Sequence, residues 1–187
     1  MPLSSSSLLQ RLRTETQPYH DALERNEFNQ ALRAGTVSAA LTEWFLAKLY
    51  GFLQPYETRL RQQVFAPAWE VEARFRSSLI LQDLGLSGAD APPVCPDLPP
   101  LDSWPRLLGA MYVLEGSTLG GQVITRQLAA AGIAQRAYFT GAGARTGPLW
   151  KAFCEQLTAA ATPETEDALV ESARLTFQKL HAWIQQP

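Results

Sequence analysis

A chain of 187 residues, 46% of them hydrophobic, has enough apolar material for one compact domain over residues 1–187, since a chain of this size buries about 70% of its unfolded surface. Its 16 basic and 18 acidic residues give a net charge of −2, without the basic surplus of a nucleic-acid binder. It has no run of about 18 apolar residues to span a bilayer, and MPLSSSSLLQRLRTE carries no apolar signal-peptide core. The expectation is a soluble, cytoplasmic protein with neither nucleic acid nor membrane as partner. Cys95 and Cys154 supply neither a disulfide framework nor the paired spacing of a zinc site, and they read as free thiols.

Apolar residues recur at helical spacing along most of the chain, and no stretch alternates with period two, so the fold is read as all-α. Residues 1–6 are expected to be disordered. A first helix runs from about Ser7 towards Arg25, with Pro18 predicted to kink it. A short helix from Phe28 to Arg33 stops at Gly35. A long third helix spans about Ser38 to Gln63, its stripe formed by Leu41, Trp44, Phe45, Leu49, Phe52, Leu53, Tyr56 and Leu60. The fourth runs from about Trp69 to Asp83 and ends near Gly85. Residues 86–102 are a Pro-rich loop within the domain. A helix bearing several glycines extends from Trp104 to about Ala131. FTGAGARTG then reads as loop, since it lacks the full dinucleotide or P-loop pattern, and a helix follows from about Pro148 to Ala159. The last helix opens with Thr162 as N-cap, Pro163 at its first position and Glu164 in its first turn.

EGSTLGGQVI lies inside that glycine-bearing helix. Each glycine in a helix interior costs roughly 1 kcal/mol relative to alanine. At about 100° per residue, Gly109, Gly116 and Gly120 fall on one narrow stripe, and Gly120-Gly121 gives the helix a cause to bend. Taken alone, the stripe fits close packing between two helices best. The other reading is a flat, bulky ligand lying against bare backbone.

In the first helix, TETQPYHDALERNEF places His20 and Glu24 four residues apart, hence on one face. Glu24 can accept a hydrogen bond from one ring nitrogen of His20 while the other nitrogen binds a metal; by itself such a pair is more often an ordinary surface or satisfied pair. The second histidine, His181, suits the C-terminal dipole of the last helix. Two histidines make a zinc site with several protein ligands a poor fit. A haem, which brings its own equatorial ligands, needs only one axial histidine.

Together these segments resemble the haem oxygenase family, specifically its short bacterial biliverdin-producing branch. LRTETQPYHDALERNEF is similar to the proximal helix, YVLEGSTLGGQVI to the distal helix, and TPETEDALVESARLTFQKL to the closing segment. The resemblance implies a single-domain helical bundle with haem sandwiched between the first and the glycine-rich helices. It implies oxidative cleavage of haem, as both substrate and cofactor, to biliverdin, carbon monoxide and ferrous iron. Dioxygen and electrons from an external reductase or ferredoxin would be consumed, and a bilin-using photoreceptor is a conceivable downstream partner. His20 matches the axial iron ligand and Glu24 the residue that hydrogen-bonds it. Gly116, Gly120 and Gly121 match glycines whose backbone lies over the haem face, Phe177 an aromatic of the pocket, and Arg13 a basic position that pairs with a haem propionate.

Two departures from the family pattern stand out. Ser117 replaces an aspartate that organises the water delivering protons on the oxygen-binding side, so Ser117, with the backbone of Gly116 and Gly120, becomes the candidate catalytic element. Glu115 is no obvious substitute, because two residues turn a helix by about 200°. In PLWKAFCEQL, Lys151 is the only candidate for the basic positions that many members use on the propionates. The alternative function is a haem carrier or gas-sensor module in which ring opening is lost; a helical domain that binds no haem is the third.

Overall fold

The computed structural model describes residues 5–186, and among them every regular element is a helix or a short 3-10 turn. The helices are α1 (Ser5–Leu23), α2 (Glu27–Ala34), α3 (Ala39–Arg61), α4 (Ser77–Leu84), α5 (Trp104–Gly116), α6 (Gly121–Ala130), α7 (Ala137–Thr140), α8 (Thr146–Ala160) and α9 (Glu166–Ile184). The all-α expectation holds. Of the six residues expected to be disordered, positions 1–4 lie outside the described residues and Ser5 already belongs to α1.

The local signals explain many of the boundaries. The Asn26 side chain accepts from the Asn29 N–H at 2.9 Å and opens α2, and Ser38 does the same for Leu41 at the head of α3. Gly35 and Gly85 end α2 and α4 with φ of 68° and 65°, a left-handed conformation that favours glycine. Pro18 sits inside an unbroken α1 on its exposed side.

Three expectations are corrected. The segment from Trp69 to Asp83 is not one helix: 3-10 turns at Pro67–Trp69 and Val71–Arg74 precede α4. Glu70 between them is left-handed, with φ of 45°, and both Arg74 and Arg76 are buried. On an α-helix those two side chains would lie about 200° apart and could not both turn inward. The last helix begins at Glu166, not at Thr162. Thr162 to Thr165 form a lead-in turn in which Thr165 Oγ1 accepts from the Thr162 N–H at 2.9 Å. The glycine-bearing helix is broken, with α5 and α6 separated by a 3-10 turn at Ser117–Gly120.

Helix α9 is the central strut, packing most extensively on α5 and then on α1. The α5 contact is close because Gly109 lacks a Cβ. One there would run into the Leu169 carbonyl and come within 2.7 Å of the Ser172 Cβ. Helices α1 and α9 run in the same direction, tied by Arg11 to Asp167 at 2.6 Å, Tyr19 to Arg174 at 3.2 Å, and the His20 and Phe177 rings. This register fixes which part of α1 faces inward.

The Pro-rich segment between α4 and α5 crosses α3 and α9 as a strap. The Cys95 N–H donates to the Gly51 carbonyl at 2.8 Å, Lys179 pairs with Asp97 at 2.6 Å, and Arg59 donates to the Leu101 carbonyl at 3.2 Å. Gly51 serves a second contact, since a Cβ there would meet the Trp183 ring, whose Nε1–H donates to the Lys48 carbonyl at 2.7 Å.

Candidate functional site

One face of α1 carries Leu9, Arg13, Thr16, Gln17, His20 and Leu23, and Glu24 follows just past its end. All of them line a cavity of about 630 Å³. Phe45, Leu49, Phe52 and Leu53 of α3, Phe177, Leu180 and Ile184 of α9, and Trp150 and Cys154 of α8 supply most of the rest, so the wall is chiefly apolar. The second long side is the broken α5–α6 segment, through Tyr112, Val113, Gly116, Ser117, Leu119, Gly120 and Ile124.

The His20 side chain is 47% exposed. Its Nε2 lies 3.6 Å from Glu24 Oε1 and its Nδ1 3.7 Å from Asp21 Oδ1, both too long for hydrogen bonds. The Glu24 contact is therefore charge proximity, not the hydrogen bond expected from the spacing. The His20 ring stands edge-on to buried Phe177, centroids 5.8 Å apart. Arg13 is exposed on the same face. Among the residues that line the cavity it is the only Lys or Arg. Lys151 does not line it; its side chain is 81% exposed and lies 3.9 Å from Glu155.

The four glycines of the α5–α6 segment divide cleanly. Gly109 packs on α9, and a Cβ on Gly121 would collide with the Phe139 carbonyl. Gly121 is buried, lies outside the cavity wall and abuts α7, which corrects its expected place over a ligand. A Cβ on Gly120 would meet nothing within 4 Å, and one on Gly116 would make only ordinary contact with Trp150, at 3.5 Å. Those two glycines present bare backbone to the cavity. The Ser117 hydroxyl, also on the wall, donates to the Leu114 carbonyl at 2.7 Å.

Behind the break lies a cluster that sequence reasoning missed. Arg74 and Glu115 form a buried ion pair at 2.6 Å. Glu57 accepts from the Arg76 and Ser77 N–H groups at 2.6 and 3.0 Å and from Ser77 Oγ at 2.5 Å. It thereby caps the start of α4. Arg76 donates to the Leu114 carbonyl at 2.8 Å and reaches Tyr138 Oη at 3.4 Å. Burial first, and then the neighbouring Glu115 charge, holds the Tyr56 hydroxyl well above the usual phenol range. Burial likewise raises Tyr138, so both phenols stay protonated. Desolvation in the cavity wall pushes the Cys154 thiol up to about 11, leaving it a neutral, unreactive group.

No family model and no curated protein sequence matches the chain. A solved structure does: a haem oxygenase from Leptospira interrogans superposes with a TM-score of 0.78 over 95% of this chain and 98% of that one, at 16% identity. The chain has the haem oxygenase fold. At that identity the likeness carries the fold alone, and the large cavity, not sequence kinship, must carry the argument for chemistry. Within the haem oxygenase fold, residues read from the sequence at His20, Glu24, Arg13, Gly116, Gly120, Ser117 and Phe177 line this single cavity, and Gly121 does not. Tyr112, Trp150 and Cys154 are lining residues that no sequence pattern distinguished from ordinary core.

Proposed function

We propose that the chain is a haem oxygenase, which binds haem in the large cavity and opens it to biliverdin, carbon monoxide and ferrous iron. The observation that carries this reading is a single imidazole, His20, sharing a large apolar cavity with two glycines that leave their side of it bare. These features suit a flat, largely apolar ligand that carries a metal with an open position. Apolar walls suit a porphyrin, one histidine suits an iron that already has its equatorial ligands, and Gly116 and Gly120 leave room for a small diatomic molecule. Bound haem would supply both the oxygen-activating iron and the ring that is cut.

The chain's own residues do the rest. His20 would hold the iron through one ring nitrogen, leaving the other beside a carboxylate, Asp21 next to Nδ1 or Glu24 next to Nε2, that favours electron donation from the ring. Arg13, on the cavity wall, would pair with a propionate and so help to orient the ring. The glycine backbone confines what can bind on the distal side, a matter of positioning. Ser117 offers a hydroxyl there. Electrons must come from a separate redox protein, and a soluble, cytoplasmic setting suits that exchange.

One observation favours a second reading as a haem carrier or gas sensor. Among the described residues the only carboxylate lining the cavity is Glu24, on the His20 side, and none lines the glycine side. Spectra separate the two. Hemin added to the purified protein should give a stoichiometric Soret band, and reductant with oxygen should convert it to biliverdin; a stable bound spectrum without ring opening would favour the carrier. His20→Ala should lose turnover and shift the Soret band, with imidazole restoring part of both. Normal turnover in that variant would end the assignment.

A further inference from the structure

Three of the chain's five tryptophans stand on one line of ring contacts. Trp150 of α8 is part of the cavity wall, and its ring edge lies 3.5 Å from where a Gly116 Cβ would be, so the line begins on the glycine side. Phe153 stacks on Trp150 with centroids 5.7 Å apart, and the Trp69 ring stands 6.0 Å beyond Phe153. Trp104 follows at 5.6 Å from Trp69. Trp69 is buried, whereas Trp104, which opens α5, is 36% exposed, so the line ends in solvent. Each pair taken singly is ordinary aromatic packing. The run as a whole joins the cavity wall to the surface without a gap.

Indole is among the easiest side chains to oxidise by one electron, and a cation over the ring makes that loss harder. The other two tryptophans carry this handicap: the Lys48 ammonium lies 6.0 Å from the Trp44 ring centroid and 4.9 Å from that of Trp183. Tyr138 has the Arg76 guanidinium 5.2 Å from its ring centroid. None of the three tryptophans on the line has a cation over its ring among the described residues. The nearest case is Arg74, 5.5 Å from the Phe153 centroid, and Glu115 offsets its charge at 2.6 Å. Tyr112, 5.6 Å from Trp150 on the wall, is less suited to start the line. A phenol gives up an electron readily only as it gives up its proton, and burial makes the Tyr112 hydroxyl hold its proton more tightly. Phenylalanine rings, which supply most of the other aromatic lining, are harder still to oxidise.

We propose that Trp150, Trp69 and Trp104 carry oxidising equivalents out of the cavity to the surface, a protective route that spares the cavity wall and the bound porphyrin. The inference rests on the haem-binding part of the function proposed above and concerns a side reaction, not ring opening. A haem that meets hydrogen peroxide becomes an oxidant able to take an electron from an indole. Trp150 gives it one electron and is refilled by Trp69, with Phe153 as the medium between them. Trp104 then refills Trp69, and a reductant dissolved in the surrounding water, ascorbate or a thiol, refills Trp104 and is itself oxidised by one electron. No bond between heavy atoms forms or breaks along the line. Excluding competing reactions is one of the tasks that fall to a protein holding a reactive cofactor.

The test is to treat the hemin-loaded protein with hydrogen peroxide and map oxygen added to each tryptophan by mass spectrometry of its peptides. Protein treated alike without hemin gives the direct attack of peroxide on an exposed ring. Trp104 should be oxidised in a hemin-dependent way that ascorbate suppresses, and rapid freezing should trap a tryptophan radical visible by electron paramagnetic resonance. Trp69→Phe keeps an aromatic ring at the buried position. It should return Trp104 oxidation to the hemin-free level and move the damage to Trp150 and the porphyrin, seen as faster bleaching of the Soret band. Trp104→Phe, at the partly exposed end, should speed bleaching too, and it serves if Trp69→Phe does not fold. Hemin-dependent oxidation of Trp104 that is the same with and without Trp69, or wild-type oxidation confined to Trp150 and Cys154, overturns the route and leaves the rings as packing alone. A protein that takes up no hemin brings down the proposed function and the route together. Hemin bound and converted to biliverdin, with Trp104 untouched by peroxide, brings down the route alone.

Discussion

The two sides of the Ser117–Gly120 turn are built on opposite plans. On one side Gly109 and Gly121 are pressed against the backbones of α9 and α7, and Arg74, Glu115, Arg76 and Glu57 are locked into a charge network. On the other, Gly116 and Gly120 face an apolar cavity that no side chain of theirs enters. The same residue type therefore serves two purposes within thirteen positions, close approach in one place and open space in the other. What decides is the atom a methyl group would meet.

The largest test of this contrast breaks the packed, charged side. Arg74→Met strands the buried Glu115 carboxylate and should cost about 3–5 kcal/mol, read as a fall in the urea midpoint; a loss below about 1 kcal/mol would mean that the pair is dispensable. Next in size, Gly109→Ala forces a methyl into the Leu169 carbonyl and should cost about 3 kcal/mol. The melting temperature should drop by roughly 6–12 °C for a chain of this size.

Gly120→Ala should do the reverse to the ligand-free protein, stabilising it by up to about 1 kcal/mol, while weakening turnover because the methyl enters the cavity. Calorimetry of the ligand-free protein beside a turnover assay reads both signs at once, and destabilisation in place of stabilisation would put Gly120 with the packed glycines. The smallest effect is at Arg13, which is exposed. Arg13→Ala should leave the melting temperature nearly unchanged, since surface substitutions mostly stay within about 0.5 kcal/mol. Hemin affinity should fall a few-fold, or the biliverdin isomers should redistribute, as chromatography of the products would show.

Much of the cavity could be read from the chain because its residues sit at helical spacing on single elements. His20 and Glu24, or Gly116 and Gly120, are related by local geometry that any helix imposes. The charge network behind the turn obeys no such period. Arg74 and Glu115 are 41 residues apart and Arg76 and Tyr138 62, so only tertiary packing brings them together. The same packing overrode the helical pattern of the segment from Trp69 to Asp83, where burying two arginines at i and i+2 required an irregular backbone. Gly121 was misplaced for a different reason. Its place over a ligand came from the resemblance alone: it stands about 100° round the helix from Gly120, off the stripe of Gly109, Gly116 and Gly120, and it packs against Phe139.

The strap between α4 and α5 has a consequence for handling the protein. A long irregular connection rich in proline is ordinarily where a protease first cuts. Here the second half is held at Cys95, Asp97 and Leu101, which denies a protease the local unfolding it needs. The first half, from Ser87 to Asp90, is exposed and has only its own turn to hold it. Limited digestion should therefore nick the chain there and leave two fragments that remain associated, because the strap beyond the cut stays fastened to both α3 and α9.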